Sequence, residues 1–181
     1  MRAFLSVPID LERLVGLPAP PELHLTVRFW AELSDPDLPR VREAMDETGG
    51  ANARFDLEIR GLGAFPSAAR PRVLWAGVGV GELPLRALES SLLDALGRRG
   101  FPPEPRRFTP HLTLLRVRSG TTREQALAAL RQLSASSFGS VPIDRIDLHS
   151  SRLTSTGPIH ERLHSVPLTG PGGQLPTPPV P

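Results

Sequence analysis

HLTVRFW at residues 24–30 and HLTLLRV at residues 111–117 are near copies within one chain. The chain has only five histidines, so the recurrence of His-Leu-Thr 87 positions later (111 minus 24) is informative. Both stretches are rich in residues that favour strands. Side chains alternate along a strand, so strict alternation predicts His24, Thr26 and Arg28 on one face and Leu25, Val27 and Phe29 on the other, apolar face. His111 and Thr113 repeat the arrangement.

The elements predicted around the two stretches also repeat. Asp35 as N-cap and Pro36 at the first helical position predict a helix that ends at Gly49-Gly50. Thr121 and Glu124 form a capping box for a helix that runs through Leu133. The remaining predicted elements are strands at residues 3–9, 55–62, 72–80, 141–153 and 159–168, and a helix at 82–99. This repetition indicates an internal duplication whose halves pair about a pseudo-two-fold axis, with the two HxT strands facing one cleft.

Two imidazoles and two hydroxyls that converge on a cleft suit in-line displacement at phosphorus. A neutral histidine accepts a proton from the attacking oxygen and a protonated one donates to the departing oxygen, since both have pKa values that start near 6.5. Threonine hydroxyls donate to the non-bridging oxygens, and an arginine neutralises the charge that develops. Arg28 shares the parity of His24 and is a candidate for this contact. No metal or cofactor is required, because the acid and the base are already supplied.

Composition bounds the class of protein. With 181 residues and 39% hydrophobic residues, the chain predicts one domain, residues 1–168, followed by a Pro/Gly-rich tail, residues 169–181, that we expect to be disordered. No apolar run approaches the roughly 20 residues needed to span a bilayer, and the N-terminus lacks a signal-peptide core. We therefore expect a cytoplasmic monomer. The formal charge of +2 does not by itself indicate a nucleic-acid binder.

The chain resembles the 2H phosphoesterase superfamily, and within it the RNA 2′,3′-cyclic phosphodiesterase family, long called 2′-5′ RNA ligases. The stretches that carry the resemblance are MRAFLSVPID, PELHLTVRF, GAFPSAARPRVLWAGV and RRFTPHLTLLRV, which together span most of the chain up to about residue 168. Residues 11–23 depart from it, because the family has a full helix there and this segment has room for a turn or two. That shortening leaves the size of the bound RNA open.

The resemblance implies an α+β fold in two lobes, with antiparallel sheets lining a central cleft and helices on the outside. It implies metal-independent opening of an RNA or nucleoside 2′,3′-cyclic phosphate to a 2′-phosphate, and in some members reversible 2′-5′ ligation of RNA, such as tRNA halves. Its catalytic set corresponds to His24, Thr26, His111 and Thr113, with His24 as the acid and His111 as the base. An arginine of the second motif corresponds to Arg116. Strict alternation places Arg116 on the face opposite to His111, so it reaches the phosphate only if the strand has a bulge.

Three competing interpretations stay open from the residues. The first is a zinc protease, because HERLH at residues 160–164 satisfies the HExxH pattern, but Pro158 and Pro167 leave too little room for a helix. On a strand, positions four apart are separated by ~13 Å and cannot share one metal ion. The second is an RNA-binding module with little turnover, and the third is a phosphodiesterase for a small cyclic nucleotide. Five aromatics are candidates for stacking on a base: Phe4, Trp30, Phe65, Phe101 and Phe108.

Overall fold

The computed structural model describes residues 1–18, 23–104, 107–118, 120–155 and 157–171. Its strands are β1 (Ala3–Pro8), β2 (His24–Trp30), β3 (Phe55–Ser67), β4 (Arg70–Val78), β5 (Leu112–Arg116), β6 (Ser137–Ile143), β7 (Arg145–Thr154) and β8 (Gly157–Pro167). Its helices are α1 (Leu38–Ala51), α2 (Glu82–Arg98) and α3 (Gly120–Leu133). Two short 3-10 turns cover Leu11–Arg13 and Asp35–Asp37. No described helix has the length and apolar character to cross a membrane.

The eight strands form one antiparallel sheet in the order β6-β3-β4-β5-β2-β1-β7-β8. The two HxT strands, β2 and β5, are neighbours at its centre. To one side lie β1, β7 and β8, and to the other lie β4, β3 and β6. The predicted fold class is confirmed, with the two expected sheets present as halves of a single sheet.

The core lies between one face of this sheet and the helices. Apolar positions of β1 and β2 alternate inward, so Leu5 and Leu25 are fully buried. On α2, the helix predicted at residues 82–99, Leu85, Leu88 and Leu92 are equally buried. These residues belong to one hydrophobic cluster that both halves share. The opposite face of the sheet is therefore left to carry polar side chains.

One predicted strand is wrong. Residues 141–153 do not form a single strand, because β6 ends at Ile143 and β7 begins at Arg145, with Asp144 between them. β6 pairs with β3 at one edge of the sheet, whereas β7 pairs with β1 and β8 in the other half. Both segments have strand-like composition, and composition carries no information on which partner a strand selects.

Both predicted N-caps are also displaced. α1 begins at Leu38, after the 3-10 turn, so Asp35 does not cap it. α3 begins at Gly120, which places Thr121 inside its first turn and excludes the predicted capping box. Thr122 instead accepts a hydrogen bond from the Arg118 backbone amide at 3.1 Å. Helix boundaries shift by such amounts because helix ends fray and a terminal turn is often 3-10, as Asp35–Asp37 is before α1.

Two sequence predictions concern segments outside the long strands and helices: residues 11–23, between β1 and β2, and the tail from residue 169. Of residues 11–23, Leu11–Arg13 form a single 3-10 turn, in keeping with the prediction that no full helix fits there, and residues 19–22 lie outside the described residues. Thr169 and Gly170 donate to the carbonyls of Gly49 and Asn52, each at 2.9 Å. The first residues of the predicted tail are thus held against the end of α1, and residues 172–181 lie outside the described part of the chain.

Two β-bulges occur at matching places in the duplicated strands. In the β1–β2 pair, Ser6 lies opposite Thr26 and Leu5 opposite Arg28, which leaves Val27 as the extra residue. In the β4–β5 pair, Trp75 lies opposite Thr113 and Leu74 opposite Leu115, which leaves Leu114 as the extra residue. Each bulge follows directly after the threonine of an HxT motif. A bulge reverses the facing of every residue beyond it, so the two bulges decide which later side chains reach the polar face.

Candidate active site

The two HxT motifs lie side by side on the polar face of the sheet. Leu25 of β2 pairs with Leu112 of β5. Continued by one residue in each direction, that register sets His24 opposite Thr113 and Thr26 opposite His111. All four side chains are partly buried, and they alternate with leucines that are fully buried on the core face. We call this surface, defined by His24, Thr26, His111 and Thr113, the site face.

A backbone carbonyl just before β5, that of Thr109, holds His111 in one tautomer. Its Nδ1 lies 2.7 Å from the carbonyl oxygen of Thr109, and because a carbonyl only accepts, Nδ1 carries a proton. Nε2 is left to accept a proton or, in the imidazolium, to donate one. The Phe65 ring meets the imidazole edge-on at 5.0 Å, and Trp75 lies 6.4 Å away. These contacts fix the direction in which Nε2 points.

His24 lies in a tighter group of rings. It stacks on Phe4 at 4.8 Å, and His160 meets it edge-on at 5.6 Å. His149 lies 6.5 Å away and also stacks on Phe4. Burial, and then the charges that His160 and His149 would carry, lower the pKa of His24 from 6.5 to about 4. At neutral pH the imidazole of His24 is therefore uncharged in the ligand-free protein.

A cavity of about 460 Å³ opens beside His24 over β1, β7 and β8. Its walls combine apolar groups such as Phe4 with polar side chains that include Ser6 and Asp147. Asp147 is buried, accepts a hydrogen bond from the Ser165 hydroxyl at 2.5 Å and lies 3.5 Å from Arg145. Volume and mixed lining are typical of a small-molecule site.

The structure does not bring Arg28 to the site face, contrary to the prediction from parity. The bulge at Val27 turns it to the core face, where it is 6% exposed. Its guanidinium donates to the Pro102 carbonyl at 2.9 Å and pairs with Glu104 at 3.1 Å. Arg28 therefore has a structural role between β2 and the segment that precedes β5.

The bulge at Leu114 has the opposite consequence for Arg116. Val73 and Trp75 are two residues apart on β4 and share a face. Arg116 pairs with Val73, and Thr113 pairs with Trp75. Arg116 therefore shares the site face with Thr113. Its side chain is exposed and has no ion-pair partner within the described ranges, so it is available to an anion.

The surroundings of His24 are not predicted by the sequence. Taken locally, His149 and His160 are ordinary strand histidines, whereas the sheet brings both to Phe4 and His24. No local signal could have found them, because they come from β7 and β8, more than 120 positions after His24 along the chain. Of the five predicted aromatics, Phe4 and Phe65 reach the two motif histidines, while Trp30 and Phe101 pack on each other at 5.9 Å. Phe108 packs against the core.

The HERLH segment lies within β8, so the expectation of a strand is confirmed. Its two histidines turn to different surroundings. His160 joins the rings around His24, whereas His164 lies 3.3 Å from Asp46 of α1. His160 and His164 therefore cannot coordinate one zinc ion together, as the two histidines of a HExxH helix do.

Comparison with known proteins shows the family of this chain. Residues 14–154 match the 2′-5′ RNA ligase superfamily. The chain belongs to this superfamily. A relative from Aeropyrum pernix named RNA 2′,3′-cyclic phosphodiesterase is 38% identical over 143 residues, which cover 79% of this chain and 80% of that protein. One of the same name from Aquifex aeolicus is 32% identical over 153 residues, which cover 84% and 81%.

Two solved structures have a fold similar to that of this chain. TT0787 of Thermus thermophilus superposes with a TM-score of 0.74 at 25% identity, covering 94% of this chain and 99% of that one. Escherichia coli LigT complexed with 3′-AMP superposes with a TM-score of 0.69 at 22% identity, covering 93% and 98%. The fold of this chain is thus shared with both proteins along nearly its whole length.

Proposed function

We propose that this protein hydrolyses the 2′,3′-cyclic phosphate of an RNA end or a nucleoside to a 2′-phosphate, with His24 and His111 as the acid–base pair. The observation that carries the proposal is the pairing of β2 with β5, through which each histidine lies opposite the threonine of the other motif. The names of the relatives, RNA 2′,3′-cyclic phosphodiesterase, supply the substrate class.

In this reaction a water oxygen attacks phosphorus from the side opposite the 3′-oxygen. One histidine takes the proton from water, the P–O3′ bond breaks, and the other histidine protonates the departing 3′-oxygen. The phosphate stays on the 2′-oxygen. Thr26 and Thr113 donate to the non-bridging oxygens, and Arg116 neutralises the charge that grows on them. Every proton is accounted for by these groups, so no step needs a metal ion.

The lowered pKa of His24 bears on which histidine has which role. A neutral His24 suits the role of proton acceptor, with His111 as the donor through Nε2. This is the reverse of the assignment that the resemblance implies. His24 can act as the donor only where the negative charge of the bound phosphate raises its pKa.

The same site accommodates ligation. When the 5′-hydroxyl of a second RNA replaces water as the nucleophile, a P–O5′ bond forms and the P–O3′ bond breaks. The 3′-oxygen is protonated and stays on its ribose as a hydroxyl, and the two RNA pieces are joined by a 2′-5′ phosphodiester. The same two proton transfers serve both reactions. The balance between them depends on how well the second RNA is held, and we include reversible ligation in the proposal.

The test is hydrolysis of a short RNA that ends in a 2′,3′-cyclic phosphate, in excess EDTA, with the product isomer identified. We expect a 2′-phosphate at an undiminished rate. His24→Ala and His111→Ala should each reduce kcat by roughly 10²–10⁴-fold while RNA affinity is retained. His164→Ala is the matched control, because His164 lies on β8 against α1. Absence of turnover would favour an RNA-binding module, and loss of turnover in EDTA would refute the metal-independent mechanism.

A further inference from the structure

The matched bulges place different chemical groups at equivalent positions of the two halves. Counted from the histidine of each motif, the fifth residue onward is Phe29 in β2 and Arg116 in β5. Phe29 pairs with Phe4, which stacks on His24, so the ring of Phe29 lies on the site face. Alternation alone predicts that Phe29 packs into the core, and the bulge at Val27 reverses that prediction.

Phe29 is 43% exposed, whereas Phe4 opposite to it is 4% exposed. A phenyl ring exposed to this extent gives up part of the stabilisation that burial of apolar surface provides. The carbon at the centre of the Arg2 guanidinium lies 5.0 Å from the ring centre. An exposed flat ring with a cation beside it matches the way in which proteins hold single nucleotides, through stacking on the base and attraction to the phosphate.

The position of Phe29 indicates which nucleotide of the substrate it can contact. β2 and β5 are antiparallel, so Phe29 lies beyond Thr26 at the His111 end of the site, and Arg116 lies beyond Thr113 at the His24 end. Phe29 is three residues from Thr26, which is at most ~10 Å along a strand. That separation is within reach of the base attached to the ribose whose phosphate Thr26 contacts.

We propose that Phe29, with Arg2 beside it, is the platform on which the base of the cyclic-phosphate-bearing nucleotide stacks. The inference rests on the proposed function, because that function puts the cyclic phosphate between the two HxT motifs. It assigns the two halves different tasks: Arg116 serves the phosphate, and Phe29 serves the base. Every base has an aromatic face, so the platform accepts all four, and purines more strongly than pyrimidines because their stacking area is larger.

The test compares two substrates, adenosine 2′,3′-cyclic phosphate and an abasic ribose 2′,3′-cyclic phosphate, in the wild-type protein and in Phe29 variants. The measured quantity is the ratio of kcat/KM for the nucleoside over the abasic compound. Phe29→Ala should lower this ratio roughly 10- to 100-fold, the effect of losing one base–aromatic stack. Phe29→Trp should maintain it, and Phe29→Leu, which keeps apolar bulk without a flat ring, should lower it.

Ile159→Ala is the matched control. Ile159 is 49% exposed on β8, next to His160 and therefore on the opposite face, so the ratio should stay at the wild-type value. An unchanged ratio in Phe29→Ala, or an equal fall in Ile159→Ala, would overturn the platform while leaving the activity intact. A wild-type protein that is inactive on both compounds and on RNA would instead overturn the proposed function.

Discussion

The titration of His24 provides a prediction that can be worked through quantitatively. A lowering of its pKa from 6.5 to about 4 means that the folded protein disfavours the imidazolium by about 3 kcal/mol, at 1.36 kcal/mol per pH unit. Burial among Phe4, His149 and His160 is the first cause, and the charges of His160 and His149 add to it. NMR observation of the histidine ring signals should therefore show His24 still neutral at pH 5.5, in contrast to a solvent-exposed histidine.

Two variants separate the causes of this shift. In His160→Gln the pKa of His24 should rise, because one neighbouring charge is removed, and it should remain below 6.5 because burial is the larger cause. In His164→Gln it should not change, since His164 lies against Asp46 of α1. Titration of His24 near 6.5 in the ligand-free protein, or an equal shift in His160→Gln and His164→Gln, would refute this account of the site.

The same shift predicts how stability depends on pH. The unfolded chain binds a proton at His24 as pH falls through 6.5, whereas the folded protein binds it only near pH 4. His24 therefore costs no stability above pH 6.5 and progressively destabilises the fold between pH 6.5 and 4, by up to about 3 kcal/mol. Urea denaturation at a series of pH values should show that the free energy of unfolding falls less between pH 6.5 and 4 in His24→Gln than in the wild-type protein. An equal loss would assign the acid sensitivity to other groups.

Further substitutions test the consequences of the bulges and of the packing around His111. Arg116→Ala should lower kcat/KM by about 10²–10³-fold with little change in the free energy of unfolding, because its side chain is exposed and, in the proposed reaction, contacts the phosphate. Arg28→Ala should lower the free energy of unfolding by about 1–3 kcal/mol, because the Pro102 carbonyl and Glu104 lose the hydrogen bond and ion pair of the buried guanidinium. An equal loss of stability in Arg116→Ala would contradict the assignment of Arg28 to the core face and Arg116 to the site face. Gly63→Ala should reduce activity, since an alanine Cβ would overlap the ring of Trp75 beside His111, and a variant with full activity and unchanged unfolding would show that this packing is not needed.

The sequence predicts the four polar residues of the two motifs because their facing depends only on strand periodicity. His24 and Thr26 are two positions apart, as are His111 and Thr113, and no irregularity interrupts either pair. The internal repeat adds the expectation that the two strands meet, and the sheet order bears this out. This part of the site could be predicted because it depends only on short stretches of sequence.

The sequence could not predict on which face of the sheet the residues after Thr26 and Thr113 lie. A bulge adds one residue without a composition that distinguishes it, since Val27 and Leu114 are ordinary strand residues. The sequence therefore predicts Arg28 on the site face, although it lies in the core, and Phe29 in the core, although it lies on the site face. The sequence also could not predict which strands β6 and β7 pair with, because pairing within a sheet is decided by tertiary contacts.

The duplicated frame yields a site whose halves differ, and the proposed reaction requires that difference. In-line displacement needs one histidine that accepts a proton and one that donates a proton, so two identical imidazole environments would compete for the same role. Here His24 is buried among aromatic and imidazole rings that keep it neutral, whereas the Thr109 carbonyl fixes the tautomer of His111. The fifth residue after each histidine differs in the same way, as a ring in one half and a guanidinium in the other. Divergence of the residues around a repeated pair of strands thus gives the two ends of the site different chemistry. In the proposed arrangement, the base of the substrate lies at the end with Phe29 and the phosphate charge is balanced by Arg116 at the other.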